Sequence, residues 1–247
     1  MANEKKMVVV IPSYKNAQWY ERNLNSALSQ NYSNYRIIYT DDLSPDNTGE
    51  LVDGFLNKHN QKKRVQLIRN NERKGALRNL YEMIHSCDDD EIILTLDGDD
   101  WFPHSKVLTR VNQAYSDDKT WMTYGQYKDY PHGGKGCSRQ IPPNIINGVQ
   151  YRQFGWCSSH LRTFYAWLFK KIKKEDLINE NGEFYAMAWD LFIMFPMLEM
   201  SGHHATYIPD VLYSYNTTNP INDHKVNHRL QVNLERLARS KPKYKPL

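Results

Sequence analysis

The chain has 247 residues, of which 40% are hydrophobic and 13% aromatic, enough for the packed core of one large α/β domain or two small ones. Its 32 basic and 28 acidic residues leave a net charge of +4, an excess that does not by itself indicate nucleic acid. No apolar run is long enough for a signal peptide or a membrane span.

The three cysteines, Cys87, Cys137 and Cys157, show no close pairing. This odd set favours neither a zinc site nor a disulfide framework, and it fits the reducing cytoplasm best. We therefore expect a cytoplasmic protein without a transmembrane segment. Peripheral contact with the cytoplasmic face of a membrane stays open.

The first half of the chain alternates short apolar runs with segments of helical period, which is typical of βα units on a mainly parallel sheet. Between the runs, apolar residues recur three and four positions apart, so each predicted helix has one face for the core. The predicted strands cover residues 7–11, 35–40, 65–69 and 91–96.

Residues 125–147 are rich in glycine, proline and asparagine, which predicts a long mobile loop or lid. This segment divides the chain into two halves of one domain, residues 1–124 and residues 125–247.

Apolar spacing in the second half predicts three further helices, over residues 160–172, 190–200 and 225–239. Pro196 predicts a kink or an early break in the second of them. The polar stretch 241–246 follows the third helix and is expected to fray.

Three polar turns follow predicted strands directly. Residues 12–14 follow the first strand, residues 41–44 the second and residues 97–100 the fourth. In open α/β sheets, ligands bind beyond the carboxyl ends of the strands. The sequence therefore predicts that the three turns form one ligand site.

The last of these turns is acidic, with Asp97, Asp99 and Asp100 around Gly98. Carboxylate oxygens are hard ligands that suit Mg²⁺ or Mn²⁺. Such an ion can neutralise a diphosphate leaving group without any proton transfer. The alternative interpretation is an acidic turn that is merely solvated.

The segments VVIPSYKN (9–16), YTDDLSPDNT (39–48) and LDGDD (96–100) together resemble family 2 glycosyltransferases of the GT-A fold. The likeness continues more loosely in YIPDVLYSY (207–215). It implies a mainly parallel twisted sheet flanked by helices, with a carboxy-terminal helical segment on the acceptor side. The first half would bind the nucleotide sugar, and the second half would supply the acceptor site and the catalytic base.

The resemblance also implies the reaction. A sugar, such as a hexose, would move with inversion from a nucleotide-diphosphate donor to a hydroxyl of a glycan, a lipid-linked acceptor or a protein-linked acceptor. The implied donor contacts are Pro12, Tyr14, Asp41, Asp42, Lys74, Asp97 and Gly98. Tyr14 could stack on the nucleobase and Asp42 could accept the imide hydrogen of uracil, which favours a UDP-sugar. Leu43 stands where the family usually has glycine.

The implied metal ligands are Asp99, Asp100 and His224, for Mn²⁺ or Mg²⁺. Asp99 is the expected direct ligand, and Asp97 is expected beside the ribose or the metal. His224 would join the site if the carboxy-terminal segment folds over it.

An inverting transfer needs a base that takes the proton of the acceptor hydroxyl as it attacks. Asp190 is the candidate, because it resembles in position the family's acidic residue before the acceptor-side helix, and Glu183 is the alternative. His160 and Arg162 begin the predicted helix after the long loop, where they could hold a phosphate or the acceptor.

Two other kinds of protein remain as alternatives. A metal-dependent nucleotidyltransferase would share the sheet and the acidic turn, but it should carry a Gly-rich basic loop after the first strand, and residues 12–16 are not one. An inactive nucleotide-sugar-binding module would bind the donor without turning it over.

Overall fold

In the computed structural model, which describes residues 4–222, 225 and 227–247, seven strands form one sheet in the order β3-β2-β1-β4-β6-β5-β7. The strands are β1 (Met7–Ser13), β2 (Tyr35–Asp41), β3 (Val65–Arg69), β4 (Ile92–Thr95), β5 (Met122–Tyr130), β6 (Thr163–Tyr165) and β7 (Ala205–Asn216). The first four are parallel, as are β5 and β7, whereas β6 runs antiparallel to both of its neighbours.

Helices cover both faces of this sheet, because its central strands are apolar on both sides. Val8 and Val10 of β1 belong to one buried cluster, and Val9 and Ile11 belong to the other. The helices are α1 (Tyr20–Leu28), α2 (Thr48–Lys58), α3 (Ala76–His85), α4 (Val107–Ala114), α5 (Pro143–Asn147), α6 (Ala166–Lys170), α7 (Trp189–Ser201) and α8 (His228–Ser240).

The four strands predicted for the first half are all present, with ends shifted by two residues at most. Buried parallel strands appear in a sequence as continuous apolar runs, and such runs allow these four strands to be predicted. The second half differs from the predictions in four places.

The helix predicted over residues 160–172 is wrong in its first part. Residues 163–165 form β6, which fits between β4 and β5, and only Ala166–Lys170 is α-helical. Apolar residues three and four apart suited a helix, but Thr163, Phe164 and Tyr165 also favour a strand, and a short apolar run does not decide between the two.

The long loop predicted over residues 125–147 is wrong at both ends, because β5 extends to Tyr130 and α5 begins at Pro143, so that the connection covers residues 131–142. Gly125 lies inside the strand, not in a loop. A Cβ atom there would lie 3.3 Å from the carbonyl oxygen of Ile208 and 3.4 Å from the backbone nitrogen of Leu161. Glycine therefore marks a close approach of neighbouring backbones.

α7 does not break at Pro196, since the helix continues to Ser201. Every residue of α7 except Asp190 is buried. Tertiary packing around the whole helix therefore outweighs the loss of one backbone hydrogen bond at the proline.

The polar tail predicted to fray is tied to the end of α7. The backbone N–H of Tyr244 donates to Glu199 Oε2 over 2.9 Å, and that of Leu247 donates to the Met200 carbonyl over 3.0 Å. Glu199 also receives two hydrogen bonds from Arg152, and both side chains of this ion pair are buried. The tail is therefore part of the folded structure.

Candidate active site

A cavity of about 630 Å³ lies where the predicted turns meet, beyond the carboxyl ends of β1, β2 and β4. The start of α7 and the segment after β7 close its other sides. The cavity brings together most of the predicted site residues, namely Pro12, Tyr14, Asp42, Asp97, Gly98, Asp99, Asp100, His160, Arg162 and Asp190.

The turn after β1 and the acidic turn are packed tightly against each other. Ser13 Oγ accepts hydrogen bonds from Tyr39 and from Asn16 Nδ2, over 2.8 and 2.9 Å. A Cβ atom on Gly98 would lie only 2.5 Å from Asn16 Nδ2 and 2.7 Å from Ser13 Oγ. Glycine is therefore required at position 98 for this close approach, independently of any ligand contact.

At one end of the cavity, Arg73 covers the ring of Tyr14. The guanidinium carbon lies 3.2 Å from the ring centroid, and Nε lies 3.3 Å from Asp42 Oδ2. Arg73 was not among the predicted donor contacts, which included its neighbour Lys74. The ammonium of Lys74 instead pairs with Glu82 Oε2 at 2.7 Å, and it does not line the cavity.

Asp42 is held by donors on both carboxylate oxygens. Oδ1 accepts from Asn70 Nδ2 over 2.8 Å and from the backbone of Lys74 over 2.9 Å, while Oδ2 accepts from the backbone of Gly75 over 2.9 Å. Burial raises the pKa of Asp42, but these hydrogen bonds lower it by more, so the net pKa lies below its usual range. Asp42 is therefore a carboxylate near neutral pH.

Asp41, the other member of the pair, does not reach the cavity. Its side chain is buried beneath the turn, where Oδ2 accepts from the backbone N–H of Ser44 over 3.3 Å. Leu43, which follows the Asp41-Asp42 pair, adopts φ +56° and leaves 48% of its surface exposed. The turn keeps the left-handed conformation that suits glycine, although leucine occupies it.

In the acidic turn the three carboxylates have different surroundings. Asp100 is buried, and its two oxygens accept from the hydroxyl of Tyr213 and the backbone N–H of Asn216, each over 2.6 Å. Burial, and then the nearby Asp99 and Asp97, raise the pKa of Asp100 well above its usual range. These contacts tie the turn to β7, and the metal role of Asp100 stays a prediction.

The side chains of Asp97 and Asp99 also accept hydrogen bonds from the segment that contains β7 and its following turn. Asp99 Oδ2 accepts from Asn219 Nδ2 over 2.8 Å, and Asp97 Oδ2 accepts from the Tyr213 hydroxyl over 3.4 Å. Burial raises the pKa of Asp99. Asn219, which follows β7, was not predicted, although the polar run 216–219 after an apolar strand was a usable signal.

Among the described residues, no group of three or more histidine, cysteine, aspartate or glutamate side chains could hold a metal ion. His224 lies outside the described residues. Mg²⁺ is commonly held by one or two carboxylates that are completed by substrate phosphates and water. Asp97 and Asp99 fit that smaller ligand set, so a divalent cation is compatible with this turn.

At the other end of the cavity, Asp190 projects from the first turn of α7. Its Oδ2 accepts from an Arg162 guanidinium nitrogen over 3.0 Å, and 25% of its side chain is exposed. Glu183, the alternative base, is exposed outside the cavity, where it accepts from Asn179 over 3.1 Å. Only Asp190 of these two carboxylates faces the cavity.

His160 and Arg162 do not begin a helix, but both side chains are buried in the cavity wall before β6. Burial, and then the charge of Arg162, lower the pKa of His160 well below its usual value. The imidazole is therefore neutral at physiological pH and supplies no positive charge for a phosphate.

No helix of the described residues is long and apolar enough to cross a membrane.

Comparison with known families gives a match over residues 8–177 to the model described as glycosyl transferase family 2. The chain is 30% identical over 182 residues to the glycosyltransferase GlyG of Streptococcus pneumoniae, covering 70% of this chain and 58% of that protein. The chain thus spans little more than half of the length of this relative.

Two solved structures share the fold at 16% sequence identity and a TM-score of 0.66. One is residues 1–349 of TarS from Staphylococcus aureus in complex with UDP-GlcNAc, with 89% of this chain and 60% of that chain covered. The other is the mannosyltransferase PcManGT from Pyrobaculum calidifontis in complex with GDP-Man and Mn²⁺, with 98% and 66% covered. The predicted GT-A fold is confirmed.

Proposed function

The chain belongs to glycosyl transferase family 2, and from this premise we propose that it transfers a sugar from a nucleotide-diphosphate donor to an acceptor hydroxyl with inversion. One observation carries the proposal. A single cavity of about 630 Å³ holds an aromatic and acidic corner at one end, an acidic turn in its wall and a partly exposed carboxylate at the other end.

The first corner suits a nucleobase. Tyr14 offers a ring for stacking, and Asp42 offers a carboxylate that can accept an N–H. The ion pair of Arg73 with Asp42, at 3.3 Å, is longer than the hydrogen bonds from Asn70, Lys74 and Gly75, so the imide of uracil would replace Arg73 there. The complex of TarS with UDP-GlcNAc supports a uridine nucleotide.

The acidic turn suits the diphosphate end of the donor. Mn²⁺ or Mg²⁺, held by Asp97 and Asp99, would neutralise the negative charge of the departing diphosphate. The Mn²⁺ in the PcManGT structure supports this proposal. Asp100 would act by fixing the shape of the turn through Tyr213 and Asn216.

We propose that Asp190 is the base. It would take the proton of the acceptor hydroxyl as the oxygen bonds to the anomeric carbon, while the bond from that carbon to the diphosphate oxygen breaks. The acceptor would be a hydroxyl of a glycan, a lipid-linked sugar or a protein-linked sugar. Free thiols at Cys87, Cys137 and Cys157 support the cytoplasmic location that we expect.

A thermal-shift screen of UDP-, GDP- and CDP-sugars, with and without Mn²⁺, tests the donor. A true donor raises the melting temperature because it binds only the folded state. We expect the largest shift with a UDP-sugar and Mn²⁺. A larger shift with GDP- or CDP-sugars would refute the role of Asp42.

Slow release of UDP from that donor separates an enzyme from an inactive binding module. In this assay we expect Asp190→Asn to lose turnover while keeping the thermal shift. Full turnover by this variant would rule out Asp190 as the base.

A further inference from the structure

Arg162 is a buried cation in the cavity wall to which the proposed reaction gives no role. Only 3% of its side chain is exposed. A charge buried this deeply needs an anion beside it, and Asp190 is that anion, with 3.0 Å between the guanidinium nitrogen and Oδ2. The guanidinium carbon also lies 5.1 Å from the centre of the Trp189 ring.

The Asp190 carboxylate is fixed at both oxygens. Oδ1 accepts from the backbone N–H of Leu191 over 3.0 Å, and Oδ2 accepts from Arg162. Of the side-chain surface of Asp190, 25% nevertheless remains exposed, and this residue lines the cavity. The carboxylate is therefore oriented and still accessible, which is the arrangement that efficient proton transfer requires.

His160 contacts the same guanidinium. One guanidinium nitrogen lies 3.2 Å from His160 Nδ1, and the nitrogen that bonds Asp190 lies 3.4 Å from His160 Nε2. The imidazole stacks on Tyr213 with ring centroids 4.2 Å apart and planes at 19°. A neutral imidazole can accept a hydrogen bond from Arg162 without adding a second positive charge. The positive charge of Arg162 is therefore paired with the Asp190 carboxylate.

We propose that Arg162 is a positioning residue which, supported by His160, holds the Asp190 carboxylate in the orientation needed to take the acceptor proton. This inference rests on the proposed function, but it assigns a role different from the phosphate or acceptor contact predicted from sequence. Arg162 acts through Asp190 and not on the donor.

The variant Arg162→Ala tests this proposal. The assay measures the release of UDP from the donor that the thermal-shift screen identifies. We expect kcat to fall by about tenfold or more, while KM for the donor and Kd for UDP change by less than about threefold. Loss of a donor contact would instead raise KM and Kd.

Chemical rescue of the variant by added guanidinium distinguishes a positioning role from a merely structural one. Removing the side chain leaves space next to the cavity, so added guanidinium at a non-denaturing concentration can take its place. We expect guanidinium, but not ammonium, to restore part of kcat in Arg162→Ala. The wild type and Arg236→Ala, which removes an exposed arginine of α8, should show no activation.

Arg162→Lys carries the test if the alanine variant does not fold. Lysine keeps the charge but loses the two-armed geometry that joins His160 to Asp190. We expect a lower kcat at unchanged donor KM, together with a wild-type melting temperature. A wild-type kcat in Arg162→Lys would overturn the inference.

Two other results would also overturn it. One is a rise in KM or in Kd for UDP at unchanged kcat in Arg162→Ala, which would place Arg162 on the donor. The other is a loss of kcat that guanidinium does not restore in a folded Arg162→Ala. A wild-type protein that turns over no donor would refute the proposed function itself, which separates the two failures.

Discussion

Leu43 occupies a backbone conformation that a branched side chain adopts at a cost. Its φ of +56° lies in the left-handed region, and its side chain is exposed, so little packing offsets the strain. We expect Leu43→Gly to raise the free energy of unfolding by roughly 0.5–1 kcal/mol, less than the full strain because glycine gains entropy in the unfolded chain. Urea unfolding measures this change.

Asn60 supplies the matched control for this substitution. It is also exposed and has φ +53°, but asparagine tolerates the left-handed region. Asn60→Gly should therefore change the stability less than Leu43→Gly does. Equal effects of the two substitutions would show that backbone strain at Leu43 is not the cause.

Asp42 makes the stability of the fold depend on pH. Its pKa is lower in the folded chain than in the unfolded chain. The stability that it contributes is therefore present above the unfolded pKa, near 4, and is lost as the pH falls through the folded pKa. We expect the free energy of unfolding of Asp42→Asn to decrease less between pH 5 and pH 3 than that of the wild type, as measured with urea. Identical decreases would contradict this linkage.

At the scale of elements, the carboxy-terminal tail, α7 and α8 meet at one buried ion pair. Arg152 donates to Glu199 of α7 and to the Ala238 carbonyl of α8, and Glu199 accepts from the backbone of Tyr244. Glu199→Gln leaves the buried guanidinium without its anion, so we expect a loss of about 3–5 kcal/mol of unfolding free energy.

The control for this change is Glu235→Gln on α8. Glu235 pairs with Arg239 one helical turn away, and 42% of its side chain is exposed. We expect a loss of no more than about 0.5 kcal/mol for an exposed pair of this kind. Denaturant unfolding compares the two variants, and a loss at Glu199 as small as the loss at Glu235 would refute the structural role of the buried pair.

The sequence predicts the elements well where one kind of signal dominates. β1 to β4 are apolar runs bounded by polar turns, so both their type and their place could be predicted. β6 has three residues, and its apolar neighbours fit a helical period, so local pattern favoured the wrong element. Nothing in the sequence near Tyr244 indicates that Glu199 binds the tail, because that contact depends on tertiary packing.

In the candidate site, too, some residues could be predicted from the sequence and some contacts could not. Tyr14, Asp42 and the acidic turn follow parallel strands of the first half. They could be placed together because the carboxyl ends of such strands meet at one edge of the sheet. The binding of Asp100 to Tyr213 and Asn216 joins residues more than a hundred positions apart, and no local pattern reveals it. The nearness of Arg162 to Asp190 likewise depends on how β6 and α7 pack.

At the scale of the whole molecule, the two halves share one sheet. β6 pairs with β4 on one side and with β5 on the other, and β5 crosses the predicted boundary at residue 124. A fragment of residues 1–124 would lack β6 and most of β5, leaving β4 with an unpaired apolar edge. We expect this fragment to aggregate or stay unfolded.

A two-dimensional amide NMR spectrum checks this prediction. The full chain should give well-dispersed signals, whereas the fragment should give signals confined to the unfolded range or none at all. A dispersed spectrum from residues 1–124 would show that the first half folds independently.

The anchored tail also determines how the protein can be attached to a surface. Asp190 lies at the start of α7, and the tail contacts Glu199 and Met200 near its end, roughly 15 Å along the helix axis. A biotin or fluorophore attached at Leu247 would lie near the end of α7 that is remote from Asp190. Sensor chips that hold the protein by this end should therefore report donor binding without blocking it.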